Sequence, residues 1–399
     1  MSVGKLAASP SPTVSARQIG IAGIVLGAFA WIVTIPPIEL RGMVLPIVLA
    51  ILAILAGAWS LTAGERKVGI EAIVVAVLAV LGAIASGKSA VATLESVFTW
   101  SALAAATLRY ATPLLFGALG GVVSESSGVI NIGLEGMMLM GAFWGIYGAD
   151  LLHSWVWGVL IAMASGGVLG LIHAFFSIHL RANQIVSGTG INFLALGVTG
   201  YFLQYHYGAN GTPLNISQIP SVHLPIDHVG FFGGAFGDAN LMTWIGVALV
   251  PALTFFLFRT RWGLRLRSVG EKPRAADTVG LSVLRIRYLA VIASGMLAAL
   301  GGAYLSVGFV GSFSNNMTNG RGFIALAAMI FGKWKPWGAL WATLLFGFGN
   351  AMSDRVSSVN PTLGTLFQAL PYVLTLVAVA GLVGRSRAPA ADGIPYVRE

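Results

Sequence analysis

The sequence predicts an all-α, polytopic transmembrane helical bundle of about 10–12 spans, some short or broken. Three observations carry that reading. Of 399 residues, 56% are hydrophobic and only 9% charged, with a mean hydropathy of +0.84; a soluble domain carries about 25% charged residues. Such a chain cannot cover itself with polar surface and needs lipid as its solvent. Apolar runs close to the ~20 residues that cross a bilayer as helix recur along its length. The basic residues, finally, gather in loops on one side of those runs, as orientation in a membrane requires.

The elements follow in order. Residues 1–18 are rich in Ser and Pro and read as a disordered cytoplasmic tail. Lys5, Arg17 and the apolar run from Ile19 resemble a signal peptide, but the run is long and no small-x-small cleavage site follows it, so it reads as an uncleaved span. Residues 19–106 form an N-terminal membrane extension of about three spans, at 19–35, 43–63 and 68–86, with a less apolar interfacial stretch at 89–106. Further runs lie at 107–123, 134–149, 156–178 and 186–205, before a polar loop at 206–240. Then come 241–258, a basic loop at 259–287, 286–309, a short 323–334, 337–353 and 367–384, and a polar tail from 386 to 399. An amino terminus inside puts 18 of the 23 Lys and Arg residues on the inner side and leaves Arg41, Lys88, Arg109, Arg321 and Arg355 outside. Both termini and the 259–287 loop are then cytoplasmic.

Several function classes fall away. The net charge of +9 lies in orienting loops and implies no nucleic-acid partner. The chain has no cysteine, so disulfides and thiolate chemistry are excluded. The six His residues show no metal-ligand spacing, and there is no nucleophile elbow, HExxH or carboxylate dyad. Residues 82–89, GAIASGKS, fit the expression of a phosphate-binding loop letter for letter. That chemistry needs a strand before the loop and nucleotide on the same side; here a membrane span precedes it and Lys88 falls outside. Asn210-Gly-Thr and Asn215-Ile-Ser match the glycosylation pattern as readily by chance as by purpose. Gly23/Gly27 and Gly166/Gly170 are small-residue pairs suited to close helix contacts, with the general abundance of Gly in membrane helices as the plain alternative.

Four polar stretches stand out from this apolar background. Between Arg259 and Arg287 lie eight basic residues and two acids, Glu271 and Asp277. Pro273 suits a helix start and Gly280 its stop, which predicts a two-turn helix over Arg274–Val279, too short to persist alone. It reads as a surface offered to a cytoplasmic partner. The second stretch, 124–136, sets Glu125, Asn131 and Glu135 among glycines between two apolar runs. It is either a helix broken near a transport path or a cytoplasmic turn with two solvated glutamates. In the third, Asn183, Gln184, Ser187, Thr189 and Asn192 either line a hydrophilic path or bond between helices. In the fourth, Asn315, Asn316 and Asn319 precede Gly320-Arg-Gly322 and a short apolar run, as in a half-helix that dips in and returns.

At these residues the chain resembles the permease subunits of ATP-binding-cassette importers for nucleosides and simple sugars, the ribose-permease-like group. The stretches that carry the likeness are TPLLFGALGGVVSESSGVINIGLEGMMLMGAF at 112–143, RANQIVSGTGINFLALG at 181–197, SVGEKPRAADTVGL at 268–281 and RGFIALAAMIFGKWKPWGA at 321–339. The resemblance implies a permease transmembrane domain over 107–385 in a bacterial plasma membrane, transporting a nucleoside or sugar delivered by an extracellular binding protein. It implies a second, related permease subunit beside this one. It also implies separate ATPase subunits that bind ATP and magnesium, so that this chain itself carries no cofactor and is no enzyme. The coupling helix would comprise Gly270, Glu271, Pro273, Arg274, Ala275, Ala276, Asp277 and Gly280. Candidate path residues are Asn131, Glu135, Asn183, Gln184, Asn192, Asn315 and Asn316. Lys272 and Ser126 stand where the family pattern has Asn and Arg. The alternative reading is an ATP-independent secondary transporter or channel. It expects ionisable residues in mid-span, and beyond Glu71, Glu125 and Glu135 the sequence offers few.

Overall fold

A computed structural model describes residues 15–34, 44–88, 100–213, 215–226, 230–357, 364–365, 367–369 and 388–397. Most of the amino-terminal tail, residues 89–99 and most of the expected span at 367–384 lie outside the described residues. The chain divides into two compact units, 1–100 and 101–399.

The first unit is a three-helix bundle of α1 (Ala16–Thr34), α2 (Val44–Thr62) and α3 (Arg66–Lys88). Its helices approach through small residues. A Cβ added at Gly23 would come within 3.1 Å of Ala56 and Ala72, and Ser60 donates to the Ala16 carbonyl at 3.1 Å. Residues 82–88 are helical, with no loop to cradle a phosphate.

The second unit begins with α4 (Trp100–Glu125), a single helix where the sequence suggested a break near 106. Its polar residues do not interrupt it: Thr107 and Thr112 donate to the carbonyls of Leu103 and Leu108, four residues back. From Ala111 onward every residue of α4 is buried, as a helix apolar on all sides must be. Next come α5 (Leu134–Leu151), α6 (Trp155–Ala174), which runs on as a π-helical turn Phe175–His179, and α7 (Gln184–Tyr207). The 206–240 loop folds a small hairpin. Strands β1 (Ser221–His223) and β2 (Asp238–Asn240) pair antiparallel with Val222 opposite Ala239, and α8 (Gly230–Phe236) lies between them. After α9 (Leu241–Arg259), the basic loop folds into α10 (Arg261–Glu271) and α11 (Pro273–Thr278). Helix α12 (Val283–Ala303) continues as a π-helical segment, Tyr304–Val310, and α13 (Arg321–Phe331) and α14 (Pro336–Ser357) follow.

Helix α5 is the hub. Leu134 and Met137 pack on Leu169 of α6, Ile191 and Ala195 of α7 and Ala298 of α12. Gly166 of α6 and Gly295 of α12 meet backbone to backbone, so a Cβ on either would collide with the other. The Gly166/Gly170 pair is thus a helix crossing within the chain. Such crossings depend on close van der Waals packing, because lipid gives apolar faces no reason to associate. Among the described residues five helical stretches are long and apolar enough to cross a membrane: Trp100–Glu125, Trp155–His179, Gln184–Asn210, Leu241–Arg259 and Val283–Val310. Helix α13 is not. Its 11 residues reach ~16 Å, about half the ~30 Å hydrocarbon core. A tight turn with Lys333 and Trp334 at φ 58° and 55° reverses the chain into α14.

Candidate functional site

Two stations in the second unit hold the polar residues. The first is the basic loop. Thr260 ends α9 and starts α10, its hydroxyl accepting from the Gly263 N–H at 3.1 Å and donating to the Phe256 carbonyl at 2.6 Å. Helix α10 buries Gly263, Leu266, Val269 and Gly270, while Trp262 and Leu264 face outward. Arg265 stacks over Trp262 at 5.2 Å and Arg267 over Phe258 at 4.8 Å, the pairing of aromatic and basic groups expected where a helix meets a membrane surface. Gly270 lies against the Ser126 backbone, with no room for a Cβ.

Pro273 occupies the first position of α11, and Gly280 at φ 84° closes it, with N–H groups of Gly280 and Leu281 bonded to the Asp277 and Ala276 carbonyls. The eight residues of the expected coupling element divide by direction. Arg274 and Ala275 are exposed, and Val279 beyond them is 74% exposed. Ala276 is only 4% exposed and packs with Val269, Val283 and Tyr396. Asp277 accepts from the Tyr396 hydroxyl at 2.8 Å, and Glu271 from the Ala390 N–H at 3.3 Å. Of the two alanines one faces out and one in, because a six-residue helix needs a buried side to be held at all.

The second station is the broken helix between α4 and α5. Glu125 and Glu135 are 4% and 7% exposed, so the solvated-turn alternative does not hold. The irregular backbone over 129–136 leaves groups that lipid cannot satisfy, and side chains from α6 and α7 take them up. Gln184 accepts from the Ile130 N–H at 2.8 Å. Asn192 accepts from the Gly136 N–H at 2.8 Å and donates to the Ile132 carbonyl at 3.0 Å. The Ile130 carbonyl can only accept, so His173 donates to it through Nε2, at 2.9 Å, and meets the Ser187 hydroxyl through Nδ1. Asn131, fully buried, donates to Ser294 at 2.9 Å. Glu135 then caps α13, accepting from the Gly320 and Gly322 N–H groups at 2.8 and 2.5 Å. Two helix starts meet around one carboxylate.

Four of the seven path candidates, Asn131, Glu135, Gln184 and Asn192, therefore gather at this junction with their hydrogen bonds directed at backbone, a neighbouring serine and the Met137 sulfur. Asn183 sits apart as the cap of α7, accepting from Ile185 and Val186. Asn315 and Asn316 are exposed in the turns before α13. Sequence patterns do not point to Ser294 or to Trp334, whose indole N–H donates to Glu125 at 2.6 Å, and they offer His173 only as a metal-ligand candidate without spacing. Each is one polar group in an apolar or loop setting, and only the fold supplies its partner. Nor do the patterns single out Arg287, 1% exposed, which donates to the carbonyls of Ser127 and Ile394 at 3.2 and 3.1 Å. Its charge faces Asp392, whose carboxyl burial pushes up to about 6 against the pull of a hydrogen bond with Glu125 and of Arg287 itself. Among the described residues no group of His and acidic side chains could hold a metal ion.

A bundle whose hub helix is broken, with a half-length helix capped against the break, has the form of a helical membrane permease. The model of the branched-chain amino acid transport system permease component matches residues 103–379, and the chain belongs to that family. Curated relatives agree. The guanosine ABC transporter permease protein NupQ of Bacillus subtilis is 42% identical over 314 residues, covering 75% of this chain and 97% of its own length. The nucleoside ABC transporter permease protein NupC of Lactococcus lactis is 36% identical over 314 residues, covering 75% and 98%. The putative glucose ABC transporter permease protein TsgC13 of Haloferax volcanii is 34% identical over 305 residues, covering 70% and 91%. The chain is a multi-pass membrane transport subunit rather than an enzyme.

Proposed function

We propose that this permease imports a nucleoside, driven by a separate ATPase that docks on the exposed face of α11. Solute is handed over by an extracellular binding protein, and a second, related permease chain completes the path. ATP and magnesium bind to the partner ATPase. The observation that carries the coupling half of this reading is the geometry of α11. Arg274, Ala275 and Val279 face out, while Gly270, one residue before the Glu271–Lys272 step into α11, touches the broken helix at Ser126. A push on the loop thus has a short packed route to the junction. ATP binding can shift the permease between outward- and inward-open states only through contacts that differ between them, and α11 is placed to make them.

The nucleoside half rests on the relatives, two of which are named for guanosine or nucleosides at 42% and 36% identity. The glucose-named relative at 34% supplies the competing solute class. Uptake of labelled guanosine by cells expressing the complete transporter, challenged with excess unlabelled nucleosides or glucose, decides between them. Nucleosides are expected to compete and glucose not; competition by glucose alone would reassign the solute. A secondary transporter needs a titratable group open to the path. Glu135, the candidate at the junction, has both oxygens committed to α13.

A further inference from the structure

The described end of the chain, residues 388–397, lies across the loop that carries α11. It bonds to that loop at three points: the Ala391 N–H donates to the Gly270 carbonyl at 2.8 Å, the Ala390 N–H to Glu271 at 3.3 Å, and the Tyr396 hydroxyl to Asp277 at 2.8 Å. The Tyr396 side chain, 8% exposed, packs with Ala276, which is the one buried residue of α11. The same ten residues also reach the broken helix. Ile394 accepts from Arg287, which in turn donates to Ser127. The Asp392 carboxyl lies close enough to Glu125 and Arg287 to feel both charges. A Cβ at Gly393 would come within 2.8 Å of Ile130, and one at Gly128 within 3.0 Å of the Ala391 carbonyl. Helix α10 meets the same three places through Val269 and Gly270, so the ten residues and α10 hold α11 between them.

An isolated six-residue helix has no stability of its own, because too few turns follow its costly first one. Helix α11 is held by what covers Ala276, and that cover includes Tyr396. Resting on the coupling role assigned above to α11, we propose that residues 388–397 are a positioning strap. Tyr396 holds α11 in register, while Ile394, bonded to Arg287, and Gly393, packed on Ile130, tie it to the broken helix, so that loop and junction move as one. Without the strap an ATPase could still dock, but its motion would be lost in a loose α11.

The test uses the full complex of both permease chains, ATPase and binding protein, reconstituted in vesicles. It reads solute moved per ATP hydrolysed, together with the ATPase retained on purification. Tyr396→Ala is expected to lower the transport-to-hydrolysis ratio about tenfold, a coupling loss of ordinary size, with the ATPase retained. Tyr396→Phe, which keeps the ring and loses only the hydrogen bond, restores most of the ratio. Should the alanine variant fail to accumulate, Tyr396→Leu keeps part of the apolar cover over Ala276 and is expected to lose about threefold, between the phenylalanine and alanine variants, because the ring that fills the contact is gone. An unchanged ratio overturns the strap alone. A fall in uptake that only tracks lost ATPase also overturns it, in favour of a structural role. No ATP-driven uptake by the unaltered complex would instead overturn the coupling role of α11, and the strap with it.

Discussion

Glu135→Ala is expected to cost the permease several kcal/mol and most of its folded yield. The start of α13 has no side-chain cap of its own; Gly320 precedes it at φ 82°, and the carboxylate reaching the Gly320 and Gly322 N–H groups comes from α5. The first turn of any helix leaves N–H groups without intrahelical partners, and a carboxylate there gains from the helix dipole as well. Removal would strand two donors at a 7% exposed site. Each buried group left without a partner costs ~1–3 kcal/mol, out of the ~5–15 kcal/mol that typically holds a fold together. Gly322 cannot move in to compensate, because it already lies against the Glu135 backbone. Size-exclusion of detergent-solubilised protein after a heating series reads the loss. Glu135→Gln, which keeps one acceptor oxygen, is expected to fall between wild type and alanine. An alanine variant with unchanged midpoint would mean that α13 does not depend on this cap.

Ala275→Arg is expected to abolish uptake, by about a hundredfold at the upper end of the usual coupling range, while the chain folds and inserts normally. Ala275 is exposed on α11, so a long side chain there disturbs nothing within the permease and keeps a partner at a distance. The neighbouring substitution behaves differently. Ala276 lies beneath Tyr396 with Val269 and Val283, and an arginine at that position would be forced into a packed apolar site, with a cost to folding as well as transport. Comparing the two variants for membrane yield and for uptake separates docking from packing. Normal uptake by a well-expressed Ala275→Arg protein would remove α11 from the docking surface.

The long apolar runs were legible in the sequence because lipid imposes one rule on them, and α6, α7, α9 and α12 lie close to where those runs fall. Helix α11 was legible from Pro273 and Gly280, residues whose backbone preferences are local. The direction of its faces was not. What covers Ala276 is Tyr396, and what holds Asp277 is the same residue, 119 positions away. The strap was invisible for that reason: a short polar tail reads as solvated until a partner is brought to it. The two glutamates posed the same problem. A carboxylate near a run of glycines has one local sequence whether water or the start of α13 satisfies it. Helix α4 runs across the boundary at 106 that separates a less apolar stretch from the run at 107–123, because helical backbone bonding continues where hydropathy changes.

The central claim is that this chain is a conduit powered from outside itself through α11. Vesicles holding the two permease chains and the binding protein, loaded with or without the ATPase and ATP, test it most directly. Nucleoside accumulation against its gradient should appear only when ATPase and ATP are both present and should stop when hydrolysis is blocked. Uphill accumulation by the permease chains alone, with no nucleotide hydrolysed, would contradict it.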